Sequence, residues 1–164
     1  MTLRSTRIWA AGALVALAAL ASLWPEPFRL DRAAVEAGEV WRLVTGHLVH
    51  ATWAHFAFDV GIGCLLLCLL PLKRSLWLLP LFVGAVVLTL RQDLVWYDGL
   101  SGVLHAWTVL VALHVIRGGD RVERVFAGLL LLGVAGKAVI EAGLGISIFT
   151  ASFDMGDVTV YEAH

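Results

Sequence analysis

The sequence predicts an all-α polytopic membrane protein, built as a bundle of six helices of which the last is incomplete. Hydrophobic residues of the AVILMFWYC set make up 60% of the 164 residues, against roughly 45–50% in soluble domains even when glycine is counted. Charged residues make up only 15%, too few to cover the surface of a globule of this size. The apolar residues also form runs long enough to cross a hydrocarbon core of about 30 Å.

Five complete apolar runs and the beginning of a sixth define the predicted spans. They cover residues 8–24, 55–72, 76–90, 100–116 and 125–148, and the sixth begins at 158 and reaches His164, where the sequence ends. We therefore expect a sixth helix that is cut short and a fragment that is inactive as it stands. Arg4 and Arg7 ahead of the first run also resemble the start of a secretory signal peptide, so its cleavage stays open. Pro80 lies inside the third run, where we expect a kink rather than a break.

Lysine and arginine are distributed unevenly between the two ends of these spans. Seven of them lie at the amino terminus, between the second and third spans, and between the fourth and fifth spans, whereas the opposite side carries four. Because cytoplasmic loops are enriched in these residues, we predict that the amino terminus is cytoplasmic. The second, fourth and sixth helices then run from the outside inwards.

Chemically active side chains lie near the outer starts of three helices in this orientation. Ser101 begins the fourth helix between Gly99 and Gly102, His55 and Asp59 open the second, and His164 lies in the sixth. A histidine can take the proton of a serine hydroxyl and so make it a nucleophile. The amide of Ser101, at a helix start, is a free donor for a developing oxyanion, and His55 could supply a second donor. The flanking glycines allow a substrate backbone to approach.

The stretch from Trp41 to His164 resembles the rhomboid intramembrane serine proteases. The motifs that match that family, in the same order along the chain, are Trp41-Arg42, His50, His55 to Asp59, Gly99-Leu100-Ser101-Gly102 and Ala163-His164. The runs Thr45–His50, Gly99–His105 and Tyr161–His164 further resemble its rhombosortase branch.

The resemblance implies a role for each matched residue. Ser101 is the nucleophile and His164 the general base and later the general acid, a dyad that needs no cofactor. His55 and the Ser101 amide form the oxyanion hole, and Trp41 and Arg42 are structural residues of an outer loop.

The same resemblance implies a serine-type endopeptidase that processes the carboxy-terminal membrane anchor of secreted or surface proteins. The expected location is the bacterial inner (plasma) membrane, with the active site toward the periplasmic or outer face. The expected partners are the lipid bilayer and a protein substrate with a transmembrane or carboxy-terminal sorting segment. A net charge of −1 without a long basic block excludes a nucleic-acid partner. The alternative is a non-catalytic rhomboid-like protein that binds transmembrane helices.

Two residues depart from the pattern of the family. Asp59 stands where most rhomboids have asparagine, and an ionised carboxylate cannot donate to an oxyanion. It is therefore protonated, or it orients His55, or the oxyanion hole lacks this donor. His105 stands where many rhomboids have a tyrosine that packs on the catalytic histidine.

The histidines of the outer loop also suggest metal ligands. His47 and His50 could join His55 and Asp59 in such a site. We predict no metal, because His50 matches a structural histidine of the rhomboid family. A small membrane protein with a histidine-lined metal or haem site is a third possibility.

Overall fold

The computed structural model describes residues 3–69, 74–92 and 94–144, and this part of the chain is mainly helical. Its elements are α1 (Leu3–Leu23), β1 (Leu30–Asp31), α2 (Arg32–Glu36), α3 (Arg42–Thr45), a 3-10 helix (Gly46–Leu48), α4 (Trp53–Leu69), α5 (Arg74–Leu90), β2 (Trp96–Tyr97), α6 (Ser101–Gly118) and α7 (Arg121–Leu144). Within the described residues, each of the five complete apolar runs overlaps one of the long helices α1, α4, α5, α6 and α7. Helix α5 continues through Pro80 without a break. The run that begins at 158, with His164, lies outside the described residues.

Two of the described helices are long and apolar enough to cross a membrane, α1 over Thr6–Leu23 and α6 over Ser101–Gly118. A third candidate consists of Arg42–Leu48 and Trp53–Cys68, which meet at 100° as a broken span or a re-entrant loop. A mainly helical protein with candidate membrane spans is thus confirmed, and within the described residues two or three of the five predicted spans meet this criterion.

The other two long helices are not among these candidate spans of the described residues. Helix α5 has 17 residues, whereas about 20 apolar residues are needed to cross the hydrocarbon core. Helix α7 is longer, with 24 residues, and its sequence carries Lys137 and Glu141 inside the apolar stretch.

Helix α6 lies at the centre of the packing and contacts α4, α5 and α7, while α1 packs on α4. Its buried residues Val103, Leu104 and Trp107 form the core cluster together with Leu100, which directly precedes the helix. The indole N–H of Trp107 donates to the backbone carbonyl of Trp77 on α5 at 2.9 Å, and the two rings meet edge to face at 5.2 Å. These contacts fix the start of α6, which carries Ser101, against the rest of the molecule.

Large apolar side chains cover the outer faces of the long helices. Trp9 on α1, Phe82 on α5 and Phe126 on α7 each expose between 67% and 69% of their surface. Extended exposed apolar surface is unfavourable in water and is typical of faces that meet lipid or another apolar partner. The distribution therefore agrees with helices that lie in a bilayer.

The loop between α1 and α4 folds back on itself around Trp41 and Arg42. The Arg42 guanidinium donates to the backbone carbonyls of Glu26 (2.5 Å) and Arg29 (2.8 Å) and pairs with the Glu39 carboxylate at 2.6 Å. The indole N–H of Trp41 donates to another carbonyl of this loop, although about half of the side chain stays exposed. These contacts hold the loop in one conformation, as expected for structural residues at Trp41 and Arg42.

Candidate functional site

The turn that precedes α6 presents Ser101 at the surface. Ser101 is the first residue of the helix, and it is exposed. Gly99 has φ +110°, a backbone conformation that L side chains rarely adopt. The amide of Gly99 donates to the carbonyl of Gly46 at 3.2 Å, and the Tyr97 hydroxyl donates to the carbonyl of Gly99 at 2.8 Å. The turn is therefore held from both sides just before the serine.

Tyr97 is a residue of this turn that the sequence did not single out. It belongs to β2, which pairs with β1 in antiparallel register so that Leu30 lies opposite Tyr97 and Asp31 opposite Trp96. Burial raises the pKa of Tyr97, so the phenol keeps its proton. The hydroxyl is therefore a hydrogen-bond donor to the carbonyl of Gly99. The only sequence signal is an aromatic residue shortly before the glycine and serine motif.

Asp59 connects α4 to the same turn. The carboxylate is buried, and its Oδ2 accepts a hydrogen bond from the backbone amide of Leu100 at 3.1 Å. The same oxygen lies 3.2 Å from Nε2 of His55, one turn earlier on α4, and 3.7 Å from Nε2 of His50. The sequence left three roles open to Asp59. This arrangement fits the role in which its carboxylate orients the ring of His55.

The ring of His55 packs directly on the backbone of Gly99, two residues before the serine. A Cβ at position 99 would lie 2.9 Å from Cε1 and 3.1 Å from Nε2 of that ring. The backbone amide of His55 donates to the Thr52 hydroxyl at 3.1 Å, which fixes the start of α4. Position 99 therefore requires glycine for its conformation and also for space.

We predict that Gly99→Ala lowers the free energy of unfolding more than Gly38→Ala does. Both glycines have positive φ (+110° and +106°), but a Cβ at Gly38 would meet no atom within 4 Å. Strain of this kind costs of order 1–3 kcal/mol, and only Gly99→Ala adds the overlap with His55. Denaturant unfolding in detergent measures both variants, and equal losses would contradict the close packing of His55.

His105 lies one turn after the serine and turns back toward it. Its Nδ1 is 2.6 Å from the backbone carbonyl of Ser101. Because a carbonyl only accepts, Nδ1 is the donor in this contact. Whether His105 packs on His164 is outside the described residues.

His47 lies apart from the other loop histidines. It is buried, with its ring edge-on to that of Tyr97 at 5.2 Å, and it fills the space that Gly84 leaves on α5. A Cβ at Gly84 would come within 2.6 Å of the His47 ring. His50, His55 and Asp59, in contrast, bring three possible metal-ligand atoms within 4.8 Å of one another.

Asp98 and Arg29 form an ion pair beside the turn, with 3.7 Å between Arg29 Nε and Asp98 Oδ2. The Asp98 side chain is only 8% exposed. Burial raises the pKa of Asp98 above its ordinary value, although the Arg29 charge opposes this shift. The cost of burying the carboxylate therefore exceeds the attraction of its partner.

We predict that Asp98→Asn stabilises the fold near neutral pH and has less effect near pH 4. A carboxyl group whose pKa is raised in the folded state binds more protons there than in the unfolded chain. Its contribution to stability therefore falls as the pH rises from about 4, the ordinary pKa of aspartate. Thermal unfolding of wild type and Asp98→Asn between pH 4 and 7 measures this, with Glu36→Gln on the exposed end of α2 as the control. A wild-type advantage that grows with pH would contradict it.

Comparison with protein-family models, with curated proteins and with solved structures finds no match for this chain. The resemblance to rhomboid proteases therefore depends on the motifs of the sequence. The described residues add the environment of Ser101, His55 and Asp59, while His164 lies outside them.

Proposed function

We propose that this chain is an intramembrane serine endopeptidase of rhomboid type, with Ser101 as its nucleophile. The observation that carries the proposal is the exposed Ser101 at the first position of α6, an apolar helix of membrane-spanning length. The turn before it is fixed by Asp59 and Tyr97, which bond to the backbone on either side of the Gly99–Leu100 peptide. A nucleophile must be held in this way to reach the reacting carbonyl in a defined geometry.

The chemistry follows the acyl-enzyme route. The Ser101 oxygen attacks the scissile carbonyl while His164 takes the hydroxyl proton, and the oxyanion accepts from the amide of Ser101 at the helix start. His164 then gives its proton to the leaving amine as the peptide C–N bond breaks. Water, deprotonated by the same histidine, cleaves the ester and restores the serine hydroxyl.

His55 is the second oxyanion donor in this proposal, and Asp59 is its positioning residue. The ring lies against Gly99, and its Nε2 is 3.2 Å from the carboxylate of Asp59. A fixed ring costs little reorganisation when charge develops on the substrate, which is the main advantage of a preorganised donor.

The substrate and location follow from the resemblance to the rhombosortase branch. The substrate is a secreted or surface protein whose carboxy-terminal anchor is cleaved at the outer side of the bacterial inner membrane. The fold is a six-helix bundle in which the sixth helix brings His164 to Ser101. The wet pocket that this requires lies near the outer ends of α4 and α6.

Labelling with a fluorophosphonate probe tests the serine mechanism without knowledge of the substrate. A chain that includes the complete sixth helix, in detergent, should be modified at Ser101, and mass spectrometry of the labelled peptide identifies the site. Ser101→Ala and His164→Ala should both abolish labelling, whereas Ser75→Ala, in the first turn of α5, should not. Labelling that persists without His164 would remove the proposed base.

One observation favours the second candidate, a non-catalytic protein that binds transmembrane helices. Asp59 uses its carboxylate on Leu100 and His55, so this position supplies no donor where most rhomboids have an amide. This candidate predicts no probe labelling of the folded protein, together with retained binding of transmembrane helices in vesicles.

A further inference from the structure

Against our expectation from the sequence, we propose that His50, His55 and Asp59 bind a divalent first-row metal ion, with Zn²⁺ as the preferred ion. The distances from Asp59 Oδ2 to Nε2 of His55 and of His50 are 3.2 and 3.7 Å, and the possible ligand atoms of all three residues lie within 4.8 Å of one another. Ligand atoms around a tetrahedral zinc ion, with bonds of about 2.0–2.1 Å, are separated by about 3.3 Å. Two imidazoles and a carboxylate are also a common ligand set for zinc with one open position.

The hydrogen bonding of His50 points independently to a cation. Its Nδ1 lies 3.0 Å from the carbonyl oxygen of Leu48, which only accepts, so Nδ1 carries the hydrogen. In the neutral ring Nε2 then has a lone pair, and it faces another acceptor, the carboxylate of Asp59. The His50 side chain is fully buried, and within the described part of the chain its Nε2 has no hydrogen-bond partner. A metal ion between Nε2 of His50 and the carboxylate of Asp59 would give each of these acceptors a positively charged partner.

The surroundings of the three ligands are those of a preorganised site. Metal-binding histidines usually donate their second ring N–H to a carbonyl or carboxylate, as His50 does to Leu48. The backbone amide of His50 donates to the Ser22 hydroxyl on α1 at 3.1 Å, and this hydroxyl also lies 3.5 Å from Nδ1. Asp59 is held by the amide of Leu100. The ligands therefore need small movements to close on an ion.

A bound ion also regulates the proposed protease, and this part rests on the proposed function. A metal on Nε2 of His55 replaces the contact between this nitrogen and the Asp59 carboxylate, which positions the ring as an oxyanion donor. Zn²⁺ should therefore inhibit labelling of Ser101, and removal of the ion by a chelator should restore it.

Metal binding is tested on untagged protein in detergent, stripped with a chelator and then titrated with Co²⁺ or Zn²⁺. Co²⁺ should give the visible d–d bands of a tetrahedral site, and Zn²⁺ should be retained at one ion per chain after desalting. His50→Asn keeps a donor near the Nδ1 position but removes Nε2, so it should weaken binding at least tenfold. His114→Ala, an exposed histidine of α6, is the control and should bind as wild type does. His55→Asn replaces His50→Asn if that variant does not fold.

The possible results separate the metal site from the protease. If wild type retains no metal, or if the ligand variant binds as tightly as wild type, the site is wrong, and the simpler account is a proton on Nε2 of His50. If metal binds but Ser101 is never labelled, the proposed function fails and the site stands. If metal binds and labelling is insensitive to Zn²⁺, the regulatory part is wrong.

Discussion

In a chain that includes the complete sixth helix, Ser101→Ala should abolish cleavage of a membrane-anchored reporter that ends in a carboxy-terminal sorting segment, while the variant still inserts and folds. Loss of the nucleophile removes the acyl-enzyme route, and we expect the rate to fall by at least about 10³-fold. The side chain is exposed, so its truncation leaves no buried cavity and should change the free energy of unfolding by less than about 0.5 kcal/mol.

Cleavage is measured by release of the reporter from vesicles, and stability by thermal unfolding of the same preparations. Ser75→Ala serves as the matched serine control and should cleave as wild type does. Cleavage by Ser101→Ala at the wild-type rate would remove the serine mechanism, even if Ser101 accepts the probe.

The long helices were predictable because their signal is local. An apolar run of membrane-spanning length must satisfy its backbone groups internally, and a helix does this within the segment. The runs at 8–24 and 100–116 accordingly match α1 and α6. The bend between the 3-10 helix and α4 was not predictable, because the segment 42–48 has no apolar run of its own and its direction depends on tertiary contacts.

The small β-ribbon was missed for the same reason. Its two strands have two residues each, and such short pairs carry no periodicity. What holds them together lies far along the chain: a Cβ at Gly46 would lie 3.1 to 3.3 Å from atoms of Leu30 and Tyr97. Only the folded chain shows that these three residues share one space.

The residues of the candidate site could be predicted from the sequence, but the hydrogen bonds and ring contacts between them could not. The motif spacing brought out Ser101, His55 and Asp59, and the structure groups them around the turn at Gly99. The sequence left three roles for Asp59 open, since the choice depends on which neighbour its carboxylate meets. The sequence also could not assign different surroundings to His47 and His50. The 3-10 helix that contains His47 turns the chain between them, so that one ring meets Tyr97 and the other Asp59.

Asp59→Ala and Asp59→Asn should have clearly different effects on stability and on the turn before α6. Alanine leaves the buried amide of Leu100 without an acceptor, which costs about 1–3 kcal/mol, and it also releases His55. The carboxamide of Asp59→Asn keeps an oxygen that can accept from the amide of Leu100 and from Nε2 of His55. We therefore expect Asp59→Asn to remain close to wild type in the free energy of unfolding.

Hydrogen exchange of the Leu100 amide, followed by mass spectrometry, separates a local from a global effect. In Asp59→Ala this amide should exchange faster than in wild type under conditions in which the protein stays folded, and labelling of Ser101 should fall with it. In Asp59→Asn both should be preserved, because the acceptor for Leu100 remains and the position matches the asparagine that most rhomboids carry. Equal losses in the two variants would mean that the negative charge of Asp59, and not its hydrogen bond to Leu100, holds the nucleophile in place.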